Sequence, residues 1–278
     1  MNKLLIFGLS GQVGDALLPL LRDLQHHVVA ISRQKTLNEQ NIVWQQAEFS
    51  NFKSSEEYYD AIISLGPLDA FSNWLLSSNI KTEKIIALSS TSIITKKNSP
   101  DPNERKLAQV LHESEQRLVQ HAENTVRNLI ILRPTLIYGM GRDQSLSRWL
   151  RVAKRYKFVL LPKNAAGLRQ PVHAADVAGA VIKALELPDS NPITLDLPGG
   201  ESLGFDQMLL RSLERYSPKT MVVRIPDFLF RFMLRFAAFS GLASGLGPGF
   251  FARLSEDWVF DPVPARMTLD YQPRPFSQ

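Results

Sequence analysis

The 278-residue chain contains no cysteine. That excludes disulfide frameworks, thiolate metal sites, iron–sulfur clusters and cysteine nucleophiles, and it fits a reducing compartment. Long apolar runs are scarce as well. The N-terminal run Leu4-Leu5-Ile6-Phe7 passes straight into glycine-rich sequence and is too short for the core of a secretory signal. The five histidines, His26, His27, His112, His121 and His173, include no i, i+4 pair beside carboxylates, so no helical metal site is expected. Ser90 lacks a Gly-x-Ser-x-Gly context, which argues against a serine hydrolase. What is present is an ordinary globular composition, 44% apolar and 21% charged, with 15 Gly and 17 Pro. The length suits one large domain or a core with a smaller lobe, and a cytoplasmic protein is the expectation.

Charge is distributed unevenly. Residues 140–170 carry Arg142, Arg148, Arg151, Lys154, Arg155, Lys157, Lys163 and Arg169 against the single acid Asp143, on a chain whose net charge is +5. Such a stretch suits an anionic partner: nucleic acid, a diphosphate-bearing small molecule or an acidic membrane surface. The spacing of Arg148, Arg151, Lys154 and Arg155 is equally that of a solvated helix face. No aromatic stacking platform accompanies it, so no nucleic-acid partner is expected.

The first forty residues carry the most specific local signal. A short apolar run over residues 3–7 ends in Gly8-Leu9-Ser10-Gly11-Gln12-Val13-Gly14, an amphipathic helix follows, and residues 27–32 read as a second buried strand. This is a parallel βαβ unit with a dinucleotide fingerprint. Gly8 allows the tight turn, Gly11 lets backbone approach a pyrophosphate, and Gly14 lets the helix pack closely on the strand. Ser10, Gln12 and Val13 complete the loop, and the helix N-terminus presents N–H groups to phosphate. At the tip of the second strand, Ser32-Arg33-Gln34-Lys35 contains no acid. An NAD site usually places Asp or Glu there for the ribose. Ser32 and Arg33 instead suit a 2′-phosphate, so NADP is the expected cofactor and NAD the alternative.

The alternation continues down the chain. Strands are expected at 42–44, 59–65, 84–88, 129–132 and 194–197, which makes an α/β fold with a doubly wound parallel sheet. Ligands of such sheets bind outside the carboxyl ends of the strands. Glu48-Phe49, Leu65-Gly66, Ser89-Ser90-Thr91-Ser92 and Arg133-Pro134 all fall at those ends. Glu48, Phe49, Leu65, Gly66, Ser89 and Pro134 are accordingly expected at the cofactor, with Phe49 toward adenine.

The loop at residues 8–14, Leu88-Ser89-Ser90-Thr91-Ser92, Leu132-Arg133-Pro134-Thr135-Leu136-Ile137-Tyr138-Gly139, Arg169-Gln170-Pro171-Val172-His173-Ala174-Ala175-Asp176-Val177-Ala178 and a closing Leu269-Asp270-Tyr271-Gln272-Pro273-Arg274-Pro275-Phe276 follow one another in order. Together they resemble the extended short-chain dehydrogenase/reductases, the nucleotide-sugar epimerase and dehydratase group. The resemblance implies a Rossmann domain, residues 1–139 and 171–197, with a substrate lobe, residues 140–170 and 198–278. It implies a nicotinamide near Ser90 and Pro134, a substrate hydroxyl positioned by Ser90 or Thr91, and a nucleoside diphosphate-sugar met by Arg142, Arg169 and His173.

One element of that pattern is missing. The family uses a Tyr, and a Lys four residues later, on the helix between the fifth and sixth strands, where the Lys charge lowers the Tyr pKa. Here no Tyr occurs between Tyr59 and Tyr138. Aligned on Ser114, the two positions hold Leu111 and Glu115. Three readings stay open: another acid/base group such as His112 or Glu113, Tyr138 reaching the site, or dinucleotide binding without turnover. The expected function is thus an NADP-binding oxidoreductase or epimerase-like protein, with a non-catalytic sensor or assembly subunit as alternative.

Toward the C-terminus, residues 208–216 read as a helix, 221–225 as a strand and 228–236 as an apolar helix broken only by Arg231 and Arg235. Even at about thirteen residues such a helix reaches only roughly 20 Å, too short to span a bilayer. It suits a buried lid helix, a homodimer face or a peripheral anchor at the inner face of a membrane. The glycine-rich residues 241–249 suit a substrate lid.

Overall fold

The computed structural model describes residues 2–34, 36–39, 41–125, 128–142, 146–239 and 254–277. Lys35, Asp143 and the glycine-rich residues 241–249 lie outside them, as do the side chains of Arg148 and Arg235. Seven strands form one parallel sheet: β1 (Lys3–Phe7), β2 (His27–Ser32), β3 (Ile42–Gln46), β4 (Tyr58–Ser64), β5 (Lys81–Leu88), β6 (Asn128–Pro134) and β11 (Ile193–Leu197). Their spatial order is β11-β6-β5-β4-β1-β2-β3, a doubly wound Rossmann arrangement that reverses direction between β1 and β4.

Side-chain alternation explains why both faces are apolar. Leu4 and Ile6 of β1 enter one core with Val28, Ala30, Ile63 and Ile130, whereas Leu5 and Phe7 enter the other with Val29, Ile31, Ile62 and Ile131. A period of two sends neighbours to opposite faces, and a parallel sheet needs both covered. Helices α1 (Gln12–Asp23) and α6 (Ala174–Glu186) pack together over the first face; α2 (Leu68–Ser77) and α4 (Pro102–Thr125) cover the second. A short α3 (Ser92–Thr95) leads from the end of β5 toward α4. Lys84 of β5 reaches across the first face to the C-terminus of α6, where its Nζ donates to the carbonyls of Leu185 at 2.7 Å and Leu187 at 2.5 Å. A cation there meets the carbonyls a helix end leaves open.

After β6 the chain forms β7 (Ile137–Tyr138) and α5 (Leu146–Tyr156), then β8 (Phe158–Pro162) and β9 (Leu168–Arg169). It returns through β10 (Val172–His173), which pairs with β7. Beyond the sheet, β12 (Leu203–Gly204), α7 (Phe205–Tyr216), β13 (Met221–Ile225), α8 (Asp227–Phe239) and α9 (Val263–Leu269) complete the described elements. A third core gathers Leu150, Ala153, Val159, Leu161, Met208, Leu209 and Phe230. Within it β13 runs parallel to β8 and β12 antiparallel to β9. On α8, Phe230 is buried, while Phe228 and Phe232 are 74% and 68% exposed. Among the described residues no helix is long and apolar enough to cross a membrane.

The last described residues clasp the start of α6. Arg274 donates to Asp176 from its backbone N–H (3.0 Å) and its Nε (2.8 Å), so Asp176 serves both the first turn of α6 and this ion pair. Tyr271 donates to the Pro198 carbonyl at 2.9 Å, and the Tyr138 hydroxyl accepts from the Ser277 N–H at 3.2 Å.

Candidate functional site

The carboxyl edge of the sheet is shaped first by close backbone approach. Gly8 adopts φ +83°, and a Cβ there would lie 3.0 Å from the Leu65 and Gly66 backbone. A Cβ on Gly14 would lie 2.1 Å from the Leu9 carbonyl oxygen, so only glycine lets α1 sit this close to β1. The turn closes with the Gly11 N–H donating to the Gly8 carbonyl at 2.9 Å. Gly11 caps α1 without a side-chain acceptor, which leaves the first-turn amide edge uncovered by any cap. The residues around the loop therefore fit a pyrophosphate.

Three tethers hold this loop. Ser32, buried at the end of β2, donates from Oγ to the Ser10 Oγ at 3.0 Å. Gln12 donates from Nε2 to the Gly139 carbonyl at 2.9 Å. Arg142 donates to the Ser10 carbonyl at 2.7 Å and pairs with Asp15 at 2.9 Å. The structure thus commits Arg142, expected at a substrate diphosphate, to the glycine loop. Val13 and Gly14 are buried, and Arg33 is exposed beside Ser32. Just past the end of β3, Phe49, expected toward adenine, stacks on Phe7 with centroids 4.6 Å apart, and a Cβ on Gly66 would come within 3.3 Å of its ring. Glu48 is exposed, with its carbonyl accepting from the Asn51 and Phe52 N–H groups. Leu65 donates from its N–H to the Phe7 carbonyl at 2.9 Å, which brings the ends of β1 and β4 together beside the loop.

The ends of β5, β6 and β11 are built differently, from charge. Glu115, 5% exposed on α4, accepts from Ser89 Oγ at 2.5 Å and from Arg133 Nε at 2.9 Å, with Arg133 Nη2 on its second oxygen. Arg133 also lies 3.9 Å from Asp196 of β11. The Glu115 hydrogen bond holds the Arg133 guanidinium firmly protonated. Burial pushes the Asp196 carboxyl upward against the opposing pull of Arg133, and its Oδ1 has no hydrogen-bond partner. Ser90 accepts from the Ser92 N–H at 3.1 Å, while Thr91 is buried and donates from Oγ1 to the Pro134 carbonyl at 3.3 Å. Leu111 is half-buried one turn before Glu115, and His112 and Glu113 are exposed.

The remaining expected residues are separated. Arg169 donates to the carbonyls of Leu168 and Glu256, both at 2.6 Å. His173 stands at the start of α6, where its Nδ1 accepts from the Ala175 N–H at 3.1 Å. Tyr138 is fully buried between His173 and Phe276. Arg133 and Asp196 are the site residues that sequence reasoning did not single out. A charged residue between the apolar run 129–132 and Pro134 was the available signal for the first. Among the described residues no group of His, Asp and Glu is arranged to hold a metal ion.

Comparison with known proteins agrees with this architecture. The NAD dependent epimerase/dehydratase family matches residues 51–196. A curated relative, the mitochondrial NADH dehydrogenase (ubiquinone) 1 alpha subcomplex subunit 9 of Dictyostelium discoideum, is 27% identical over 85 residues, 30% of this chain and 23% of its own length. The match thus spans about a quarter of that relative. MoeE5 in complex with UDP-glucuronic acid and NAD is 15% identical with a TM-score of 0.72, covering 99% of this chain and 94% of its own. The UDP-glucuronic acid 4-epimerase of Bacillus cereus in complex with NAD is 16% identical with a TM-score of 0.71, covering 99% and 92%. The terminal R domain of the myxalamid PKS-NRPS pathway reaches 0.75 at 17% identity, covering 98% and 85%. At these identities the likeness is one of fold.

Proposed function

This chain belongs to the NAD dependent epimerase/dehydratase family, and from that premise we propose that it binds a nicotinamide dinucleotide at residues 8–14 and acts on a nucleoside diphosphate-sugar. The observation that carries the reading is the glycine cradle, where side chains at Gly8 or Gly14 would collide with backbone. The α1 N-terminus and the Arg142 guanidinium then face the pyrophosphate, Phe49 and Gly66 border adenine, and Ser89 and Pro134 border the nicotinamide. A bound nicotinamide supplies the hydride acceptor or donor. Ser90 orients the substrate hydroxyl, and Thr91, fixed on the Pro134 carbonyl, holds the strand end in place. Arg169 supplies positive charge on the substrate side. Ser32 and Arg33 favour NADP; MoeE5 and the Bacillus cereus epimerase are described with NAD.

A second reading has its own observation. The positions aligned with the family's Tyr and Lys hold Leu111 and Glu115, and the Glu115 carboxylate is consumed by Arg133 and Ser89. A positioned acid/base group contributes about 10²–10⁴ in rate. A dinucleotide-binding subunit of a larger assembly needs no such group, and the Dictyostelium relative is by its name a subunit.

Calorimetric titration with NADPH and NADH tests the first reading. NADPH should bind more tightly, and Arg33→Ala should weaken it by roughly ten- to a hundredfold, the worth of one charge-assisted hydrogen bond, with NADH nearly unchanged. Equal loss of both overturns the NADP preference. No binding of either overturns the dinucleotide site.

A further inference from the structure

A cleft of about 390 Å³ opens beside Gly139, between α5, the end of α7 and the start of α6, and nothing above assigns it a role. That volume falls within the range of roughly 300–1,000 Å³ typical of small-molecule sites. None of Ser89, Ser90, Thr91, Pro134 or Arg169 lines it. Of the residues expected at dinucleotide or sugar, only His173 borders it, and the structure turns that side chain into this cleft rather than toward Ser90 or Arg169.

Two cations define its rim. Arg151 and Lys154 are one turn apart and exposed on α5, whose adjoining face is seated in the core by Leu150 and Ala153, with Leu150 also lining the cleft. No carboxylate among the described residues pairs with either of them. The Lys154 ammonium lies 6.0 Å over the Tyr216 ring, which gives the cleft an aromatic wall beside the charge. On the far side stands His173. Its Nδ1 accepts a backbone hydrogen bond, so the ring proton is assigned to Nε2. A Cβ on Gly139 would sit 2.3 Å from that Nε2, so only glycine fits against this edge of the ring, and His173 lines the cleft. Burial, aided by the Arg274 charge, lowers the His173 pKa and favours this neutral form, with Asp176 pulling the other way while paired to Arg274.

We propose that this cleft binds a small phosphate-bearing molecule, its phosphate held by the Arg151 fork and Lys154 and approached by His173 Nε2. A planar guanidinium matches two phosphate oxygens at once, and the ammonium adds a point charge. The Gly139 carbonyl accepts from Gln12 of the glycine loop, so the wall of the cleft is continuous with the first turn of α1.

The test is a ³¹P NMR titration of the full chain with inorganic phosphate in chloride buffer, read as line broadening. The wild type should bind, and the Arg151→Gln/Lys154→Gln double variant should bind about tenfold or more weakly, the worth of one charge-assisted contact. Both side chains are exposed, so the variant should melt with the wild type. A second arm replaces phosphate with uridine monophosphate. Binding tighter than phosphate that weakens in the double variant marks an ester whose ring seats on Tyr216, and equal affinity that weakens likewise marks free phosphate as the source; uridine monophosphate binding untouched by the double variant belongs to the proposed nucleotide-sugar site and counts against the cleft. Unchanged phosphate binding in the double variant, or none in the wild type, overturns the proposal. The NADPH titration reads the dinucleotide site separately, because the double variant should leave NADPH affinity unchanged.

Discussion

The two halves of one sheet edge are made by opposite means. Over β1 and β4 the surface is shaped by missing side chains: Gly8 turns, Gly14 admits the helix, and Gly66 lies under Phe49. Over β5, β6 and β11 it is shaped by charged ones, with Glu115 bridging Ser89 and Arg133 and Asp196 close by. The first half keeps the pattern of the family. On the alignment through Ser114 the second is where the proposed departure falls, and a built charge cluster stands there rather than a gap. A carboxylate where the family's pattern implies a lysine has its own guanidinium partner on β6. The difference teaches that the two halves of the edge rest on separate sets of side chains, so each can be altered without the other.

Substitution at the glycine half should have the largest effect. Gly14→Val places carbon against the Leu9 backbone, which cannot swing aside, and should cost roughly 3 kcal/mol or more through overpacking. Urea unfolding measures this, and a variant as stable as wild type would break the account of α1 packing. The charged half comes next. Glu115→Gln keeps an acceptor but leaves the half-buried Arg133 charge only the Asp196 carboxylate 3.9 Å away, at a cost of roughly 2–3 kcal/mol. NADPH affinity should hold, and its loss would mean the two halves are not separable. The same geometry bears on any attempt to restore the family's pair, since Glu115→Lys would set an ammonium against Arg133.

The smallest expected effect is on pH dependence. Burial depresses the pKa of His173, beside the glycine half, and of His121 on α4. A histidine whose folded pKa lies below its unfolded value of 6.5 is bound to more protons when unfolded, so its contribution is intact above 6.5 and is lost as pH falls through and below it. Melting temperature should therefore decline from about pH 7.5 to about 5.5, and His121→Gln should shallow the slope. An unaltered slope in that variant would remove His121 from the account.

The sheet was legible because parallel strands buried on both faces leave short apolar runs between turn residues, and all seven were readable that way. The β5 boundary was not. The strand begins at Lys81, three residues before the expected start, because its lead-in Lys81-Thr82-Glu83, exposed at Lys81 and Glu83, carries no apolar signal. The strand β8 was hidden among Lys157 and Lys163, where charge drew the reading toward a ligand-facing surface, and only its pairing with β13 reveals it. The glycine loop could be read from sequence because its geometry is local. The Glu115–Arg133–Asp196 cluster could not, since α4, β6 and β11 must be assembled before those side chains meet. Arg142 is a similar case: its partner Ser10 is a hundred residues and more away in the chain.

The parallel order of the sheet also constrains how the chain can reach this state. Among the described strands no two neighbours in the large sheet are joined by a hairpin, so none of its pairings can zip from a tight turn. The edge strand β11 pairs with β6 only after residues 135–192 have emerged between them, and α6 must arrive with it to cover Leu4, Ile6 and Val28. Until then that sheet face is covered by α1 alone during synthesis. A nascent chain stalled before β11 would expose the rest of that apolar face and an unpaired edge, the state in which chaperone binding and aggregation compete.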